Sequence, residues 1–144
     1  MRNNLKRRII IASHSMLSDG IAKTLQFFQG EQEQFTVITA YVDNKPIDEQ
    51  IEQIFNEISV EDEVVILTDL LAGSVNQKFV PYSSRPHTHL VAGMNLPLAM
   101  AFSMEPCHEY MSSDRIQEIV KEAQDQVKYV NLLLTATNED DEDE

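Results

Sequence analysis

A single cysteine, Cys107, occurs in the 144-residue chain, which excludes an intramolecular disulfide framework. Tryptophan is absent, and there are only four glycines. So few glycines argue against a nucleotide module that depends on a full glycine-rich phosphate loop. Basic residues are scarce: 11 Lys and Arg against 24 Asp and Glu give a net charge of −13. That balance disfavours nucleic acid and anionic membrane as partners. No apolar run nears the roughly 20 residues of a membrane-spanning helix. The basic start, "MRNNLKRR", regains charge too soon for a secretory core, so a cytoplasmic protein is expected. What is present is a 42% apolar complement, sufficient for one domain with a real core. The last seven residues, "NEDDEDE", hold six acids and nothing apolar. Residues 1–136 are therefore expected to form the domain, and 137–144 a disordered acidic tail.

Apolar and β-branched runs alternate with helical periodicity. Arg8–Ser13 reads as a strand buried on both faces, Phe35–Tyr41 as a second, Glu63–Thr68 as a third and His89–Gly93 with its neighbours as a fourth. Between them lie helical patterns. Ser15–Gln29 is bounded by Ser15 or Ser18 and by Gly30, and Ile47–Ile58 carries an acidic outer face. Val75–Tyr82 is short, and Leu96–Ser103 takes Pro97 in its first turn. A last helix enters at Ser113 or Asp114 and runs along Ile116, Ile119, Ala123 and Val127. "YVNLLLT", Tyr129–Thr135, reads as a final strand, or as helix continuing into one. This alternation predicts an α/β fold, a doubly wound and mostly parallel sheet of order 2-1-3-4.

In that order the first and third strands are neighbours whose helices diverge to opposite faces. Ligands bind beyond the carboxyl ends at such a switch point. His14 follows the first strand and Asp69 the third, so the fold sets them across one crevice. A carboxylate on one ring nitrogen fixes the tautomer and leaves the other nitrogen as base, metal ligand or nucleophile. No G-x-S-x-G elbow and no cluster of metal-ligand spacing accompanies His14. Two helix starts do, with Gly73 and Ser74 in "LLAGS", and free amides there would favour an anion. A phosphoryl group carried on His14 is the chemistry this suggests.

"IIIASHSMLSDG", "VVILTDLLAGSVNQ" and "LVAGMNLPLAM" resemble, in order and spacing, three signature segments of enzyme IIA of the mannose-type sugar phosphotransferase system. The resemblance runs from about Arg8 to Ser103. It implies that His14 is phosphorylated by the carrier protein HPr. The group then passes to enzyme IIB and on to a sugar entering through a membrane channel. It implies Asp69 as the partner of His14, Gly73, Ser74 and Ser15 as phosphate contacts, and no metal or other cofactor. Ala72 stands where the family has the first of two glycines, and Val75 where it has proline. The family also implies a homodimer in which the C-terminal strand is exchanged. For Tyr129–Thr135 that would bury Leu132 and Leu134, or their alternates, against the neighbour.

Rival readings are a phosphotransferase subunit of a dihydroxyacetone kinase system and a non-enzymatic small-ligand regulatory module. "GMNLP", Gly93–Pro97, favours the sugar branch. His87 and His89 suggest an exposed strand start rather than a metal pair. Cys107–His108 lie in a connector, where adjacent side chains rarely converge. The methionines of Met94–Met104 are expected to fill core or form a soft contact surface.

Overall fold

The computed structural model describes residues 5–142, with side chains through residue 136. Strands β1 (Arg7–His14), β2 (Phe35–Ala40), β3 (Glu63–Thr68) and β4 (Thr88–Ala92) form one sheet of order β2-β1-β3-β4, parallel throughout. Helices α1 (Leu17–Gln29), α2 (Asp48–Glu57), α3 (Ser74–Phe79), α4 (Leu96–Met104), α5 (Ser113–Gln124) and α6 (Val130–Glu142) connect and follow the strands. A 3₁₀ turn, Val80–Ser84, continues α3. The expected fold class and strand order are those observed.

Alternation along the central strands divides the core. Ile9 and Ile11 of β1, with Val65 and Leu67 of β3, pack on one face against Leu25, Leu98, Phe102 and Ile119 of α1, α4 and α5. Ile10 and Ala12, with Val64 and Ile66, face Ile51 of α2 and Val75 and Phe79 of α3 on the other. All six β3 side chains are buried, as a strand covered by helices on both faces requires. α1 and α3 leave the sheet on opposite faces from adjacent strands, and this opens the crevice at the carboxyl ends. The β1–β2 register pairs His14 with Ala40, and the β1–β3 register pairs Ala12 with Thr68, so β1 ends level with β2 and runs two residues past the end of β3.

Several expected details differ. α1 starts at Leu17, and neither Ser15 nor Ser18 caps it by its own position. Ser13, still in β1, reaches forward and its Oγ accepts from the Ser18 amide at 2.7 Å. Ser112, not a later residue, caps α5 by accepting from the Arg115 amide. In "GMNLP", Gly93 turns the chain at φ 79° and Asn95 caps α4, accepting from the Leu98 amide at 2.9 Å.

At its C-terminus the single chain differs from the expected strand. Tyr129–Thr135 contributes no strand: α6 begins at Val130, and the sheet has four strands, all from the first 92 residues. The segment pairs with neither edge strand of the sheet, β2 or β4, and a helix satisfies its backbone locally where an unpaired strand would not. Leu132, Leu133 and Leu134 remain 64%, 49% and 59% exposed. The α6 backbone continues to Glu142, into the acidic segment. Side chains of that expected tail, and its last two residues, lie outside the described residues. Among the described residues no helix is long and apolar enough to cross a membrane.

At the opposite end of the sheet from the crevice a buried ion pair joins β1 to β3. Arg7 Nε donates to Glu63 Oε1 at 2.7 Å, with the two side chains 1% and 0% exposed. Glu63 Oε2 accepts from the Met111 amide at 2.7 Å and sits 3.4 Å from His89 Nε2. Arg7 also donates to the Glu105 and Pro106 carbonyls, tying down the connector before α5. Burial alone would raise the Glu63 carboxyl. Hydrogen bonds from His89, Met111 and Arg7, with the Arg7 charge, outweigh burial and hold it below its ordinary 4.5. Its contribution to stability is thus present above that value and lost as pH falls through the lowered one. Glu63→Gln leaves Arg7 buried without a counter-charge, at an expected cost of about 3–5 kcal/mol. Urea unfolding at neutral pH should show that loss. The variant should also lose part of the fall in stability that the wild type shows on acidification below pH 4.5.

Candidate functional site

His14 closes β1 with its side chain 38% exposed, between the ends of β2 and β3. Asp69, the residue after β3, holds it twice with one oxygen. Asp69 Oδ2 accepts from the His14 amide at 2.7 Å and lies 2.8 Å from His14 Nδ1. Oδ1 accepts from the Leu70 amide at 3.0 Å. Burial alone would raise the Asp69 carboxyl. The bonds from the His14 amide, its ring and the Leu70 amide, with the charge the ring can carry, outweigh burial and hold it below the ordinary 3.8. An ionised carboxylate only accepts, so Nδ1 carries the proton and Nε2 keeps its lone pair.

Nε2 looks out of the crevice and lies 3.1 Å from Ser74 Oγ, at the start of α3. Since Nε2 is the acceptor, Ser74 donates to it. Ser74 Oγ is in turn 2.7 Å from the Tyr41 hydroxyl. With the Ser74 hydrogen committed to Nε2, Tyr41 is the donor in that second bond. The Tyr41 ring lies 5.3 Å from the imidazole at an interplanar angle of 30°.

The loop between β3 and α3 is built largely on its own hydrogen bonds. The Ala72 amide donates to Asn76 Oδ1 at 3.2 Å, the Gly73 amide to the Leu70 carbonyl at 3.1 Å, and Gln77 Nε2 to the Ala72 carbonyl at 2.6 Å. Asn76 is anchored on Thr68 Oγ1 at 2.9 Å. The amides of Leu70, Ala72 and Gly73 are therefore engaged within the loop. α3 has six residues, so its dipole is small. Hydroxyl groups are what Nε2 meets. Gly73 serves by its size: a Cβ there would come within 3.1 Å of Leu70 Cβ and 3.3 Å of Leu70 O, and 3.7 Å from His14 Cε1. Ser15 makes no hydrogen bond to the ring, Asp69 or Ser74 among the described residues; its amide donates to the Ala40 carbonyl at 2.8 Å.

His14, Asp69, Gly73 and Ser74 are thus brought together, and Ser15 lies beside them without joining. Tyr41, Asn76 and Ser13 were not anticipated. Tyr41 was within reach of sequence reasoning, because the 2-1-3-4 order sets the residue after β2 beside the end of β1. The other candidates sit elsewhere. His87 stacks on Tyr110 at 3.5 Å, and Cys107 Sγ takes a hydrogen bond from Arg7. Met94 is buried, whereas Met104 is exposed. Among the described residues no group of three or more His, Cys, Asp or Glu is placed to hold a metal. Exposed Met16, Leu17, Tyr41, Val42, Leu70 and Leu71, each following the end of β1, β2 or β3, give the crevice an apolar rim.

Among the described residues four non-glycines have positive φ, and three of them lie in the loops that follow β1, β2 and β3 at the site: Ser15 at 55°, Tyr41 at 66° and Ala72 at 61°. Such backbone strain is characteristic of functional sites. At Ala72 the family's glycine would adopt the angle freely. Ala72→Gly should raise the free energy of unfolding by roughly 1 kcal/mol, read as a higher urea midpoint at unchanged slope.

A family described as "EIIA-man: PTS system fructose IIA component" matches residues 8–120. A protein of Klebsiella pneumoniae, named provisionally as a phosphoenolpyruvate-dependent sugar phosphotransferase system permease, is 31% identical. Its structure superposes with a TM-score of 0.82 over 93% of this chain and 98% of its own. The IIA protein of a fucose utilization operon in Streptococcus pneumoniae shares the fold at 24% identity, with a TM-score of 0.78 over 92% of this chain and 99% of its own. So does a mannose/sorbose-specific IIA subunit of Enterococcus faecalis, at 20% identity and a TM-score of 0.71 over 86% of this chain and 94% of its own. The family match covers well over half of the sequence and contains β1 through most of α5: this chain belongs to the mannose/fructose-type IIA components of the sugar phosphotransferase system.

Proposed function

We propose that the protein is a phosphohistidine carrier, accepting a phosphoryl group from phospho-HPr on His14 Nε2 and passing it to enzyme IIB for sugar uptake. One observation carries this reading. A single Asp69 oxygen fixes the His14 backbone and Nδ1 together, so Nε2 alone is left facing outward. In the transfer the Nε2 lone pair bonds to phosphorus as the donor's N–P bond breaks, and that electron pair returns to the donor imidazole. The His14 ring, still protonated at Nδ1, takes on the positive charge, and Asp69 offsets it. Passage to enzyme IIB reverses these changes on the His14 side. Family membership supports a phosphotransferase role of this kind, and HPr and enzyme IIB are the partners that role requires. A cytoplasmic location follows from those partners.

Incubation with phosphoenolpyruvate, enzyme I and HPr should label the wild type on one histidine, acid-labile and base-stable. His14→Ala should take no label; labelling of that variant would refute the assignment. Asp69→Asn removes the charge and no longer fixes the tautomer, because an amide both donates and accepts. It should slow transfer by about a hundredfold or more while costing little in melting temperature. Equal rates for variant and wild type would remove Asp69 from the mechanism.

The reading extends to a two-fold homodimer. Val127, Tyr129 and Val130 are 78%, 66% and 56% exposed, and with Leu132 to Leu134 they leave an apolar segment uncovered in one chain. A second copy, paired through this segment, would cover it, whether the segment stays helical or is rebuilt as an exchanged strand. Light scattering at micromolar concentration should give twice the 16.4 kDa chain mass. Leu133→Asp should lower that mass towards the monomer, and a wild-type monomer would count against the assembly.

A further inference from the structure

Three places outside the His14–Asp69 pair contain chemistry-bearing groups. At the buried Arg7–Glu63 cluster every charged group has a partner, and its role in joining strands accounts for it. The shallow cleft of Tyr41, Asp43, Lys45 and Lys78 has Lys78 paired with Asp48 at 2.9 Å, and nothing there selects a ligand. The third is Tyr41 itself. It is a strained, largely exposed residue whose hydroxyl is turned inward onto a site hydroxyl.

From the chain of donors Tyr41 Oη–H to Ser74 Oγ–H to His14 Nε2, with O–O and O–N distances of 2.7 and 3.1 Å, we infer that Tyr41 is a positioning residue for phosphoryl transfer, acting through Ser74. The inference rests on the phosphohistidine reading above. A serine hydroxyl rotates freely, and a free rotor offers the incoming group a donor only part of the time. Tyr41 removes that freedom without using the Ser74 hydrogen, because it donates into a Ser74 lone pair. The hydrogen must then point away from Tyr41, either to Nε2 in the resting site or to a phosphoryl oxygen once Nε2 is occupied. Oγ itself need not move, since only its hydrogen turns. Donation into Oγ also polarises the Ser74 O–H, making it a stronger donor to a developing anion.

Holding the phenol there has a cost that packing does not explain. Tyr41 is 61% exposed, so its ring is not placed for burial, yet its backbone sits at φ 66°. An aromatic residue at such an angle is an outlier, and it persists where the surroundings require that orientation. The angle aims the side chain back across the end of β1, over the imidazole, instead of along the loop that follows.

Single-turnover transfer from phospho-HPr, with Tyr41→Phe, Ser74→Ala and the double variant, tests this. Tyr41→Phe keeps the ring and removes one exposed oxygen, and its melting temperature should match the wild type. Its maximal rate should fall roughly tenfold, with the half-saturating phospho-HPr concentration unchanged. The double variant should be no slower than Ser74→Ala alone, because Tyr41 has no route to the phosphoryl group once Ser74 is lost. In ³¹P NMR of the phosphorylated protein, the titration midpoint of the phosphoryl oxygens should move upward in Tyr41→Phe, since a weakened donor stabilises the dianion less. A wild-type rate and midpoint in Tyr41→Phe would overturn the inference while leaving His14 as carrier. So would losses that add in the double variant. A wild-type protein that takes no label, or a His14→Ala that does, would remove the carrier reading and the role of Tyr41 with it.

Discussion

Everything at the carboxyl end of the sheet turns on one oxygen atom, Asp69 Oδ2. It accepts from the His14 main chain at 2.7 Å and lies 2.8 Å from the His14 ring, so the place where β1 ends and the way its last side chain faces are fixed together. A carboxylate bonded only to the ring would leave the backbone free to fray, and one bonded only to the backbone would leave the ring free to flip. With both held, the far nitrogen has one direction to face, and Ser74 and Tyr41 are arranged around that direction. The register of β1 on β3 makes the double contact possible, because it pairs Ala12 with Thr68, two residues before His14 and one before Asp69.

The same two strands are joined at their other end by a second carboxylate. Glu63 opens β3 as Asp69 follows it, and it holds Arg7 at the start of β1 as Asp69 holds His14 at its end. Burial would raise both carboxyls, yet both lie below their ordinary values, because His89, Met111 and Arg7 donate to Glu63 and the His14 amide and ring and the Leu70 amide donate to Asp69. The two clamps differ in exposure. Arg7–Glu63 is sealed, so its purpose is met within the fold, whereas His14 is open enough to meet another molecule. Between them the apolar interior of β1 and β3 alternates its side chains to two layers of helices.

How far the sequence revealed this depended on whether the governing forces were local. Runs such as Ile9–Ala12 and Val64–Leu67 announce buried strands by composition, and their alternation with helical stripes implies the parallel order. That order alone placed His14 opposite Asp69. Tyr129–Thr135 was less legible because its apolar character speaks of burial without saying against what; in a single chain it is helical and largely exposed. The β3–α3 loop was less legible for another reason. "LLAGS" reads as a run of free amides, but Asn76 and Leu70 draw several of them inward, through contacts only the folded turn creates. Tyr41 escaped notice because its significance lies in a neighbour thirty-three residues away.

The apolar rim has a kinetic consequence. Met16, Leu17, Val42, Leu70 and Leu71 stand around a single outward-facing nitrogen, and the crevice offers no second approach through the buried ends of the strands. On the proposed carrier reading, a molecule that delivers a group to Nε2 and one that removes it would sit on the same ground. The two would then exclude each other, and turnover would alternate, with the first visitor leaving before the second arrives. Substitutions on the rim, unlike those at the ring, would alter both half-reactions together.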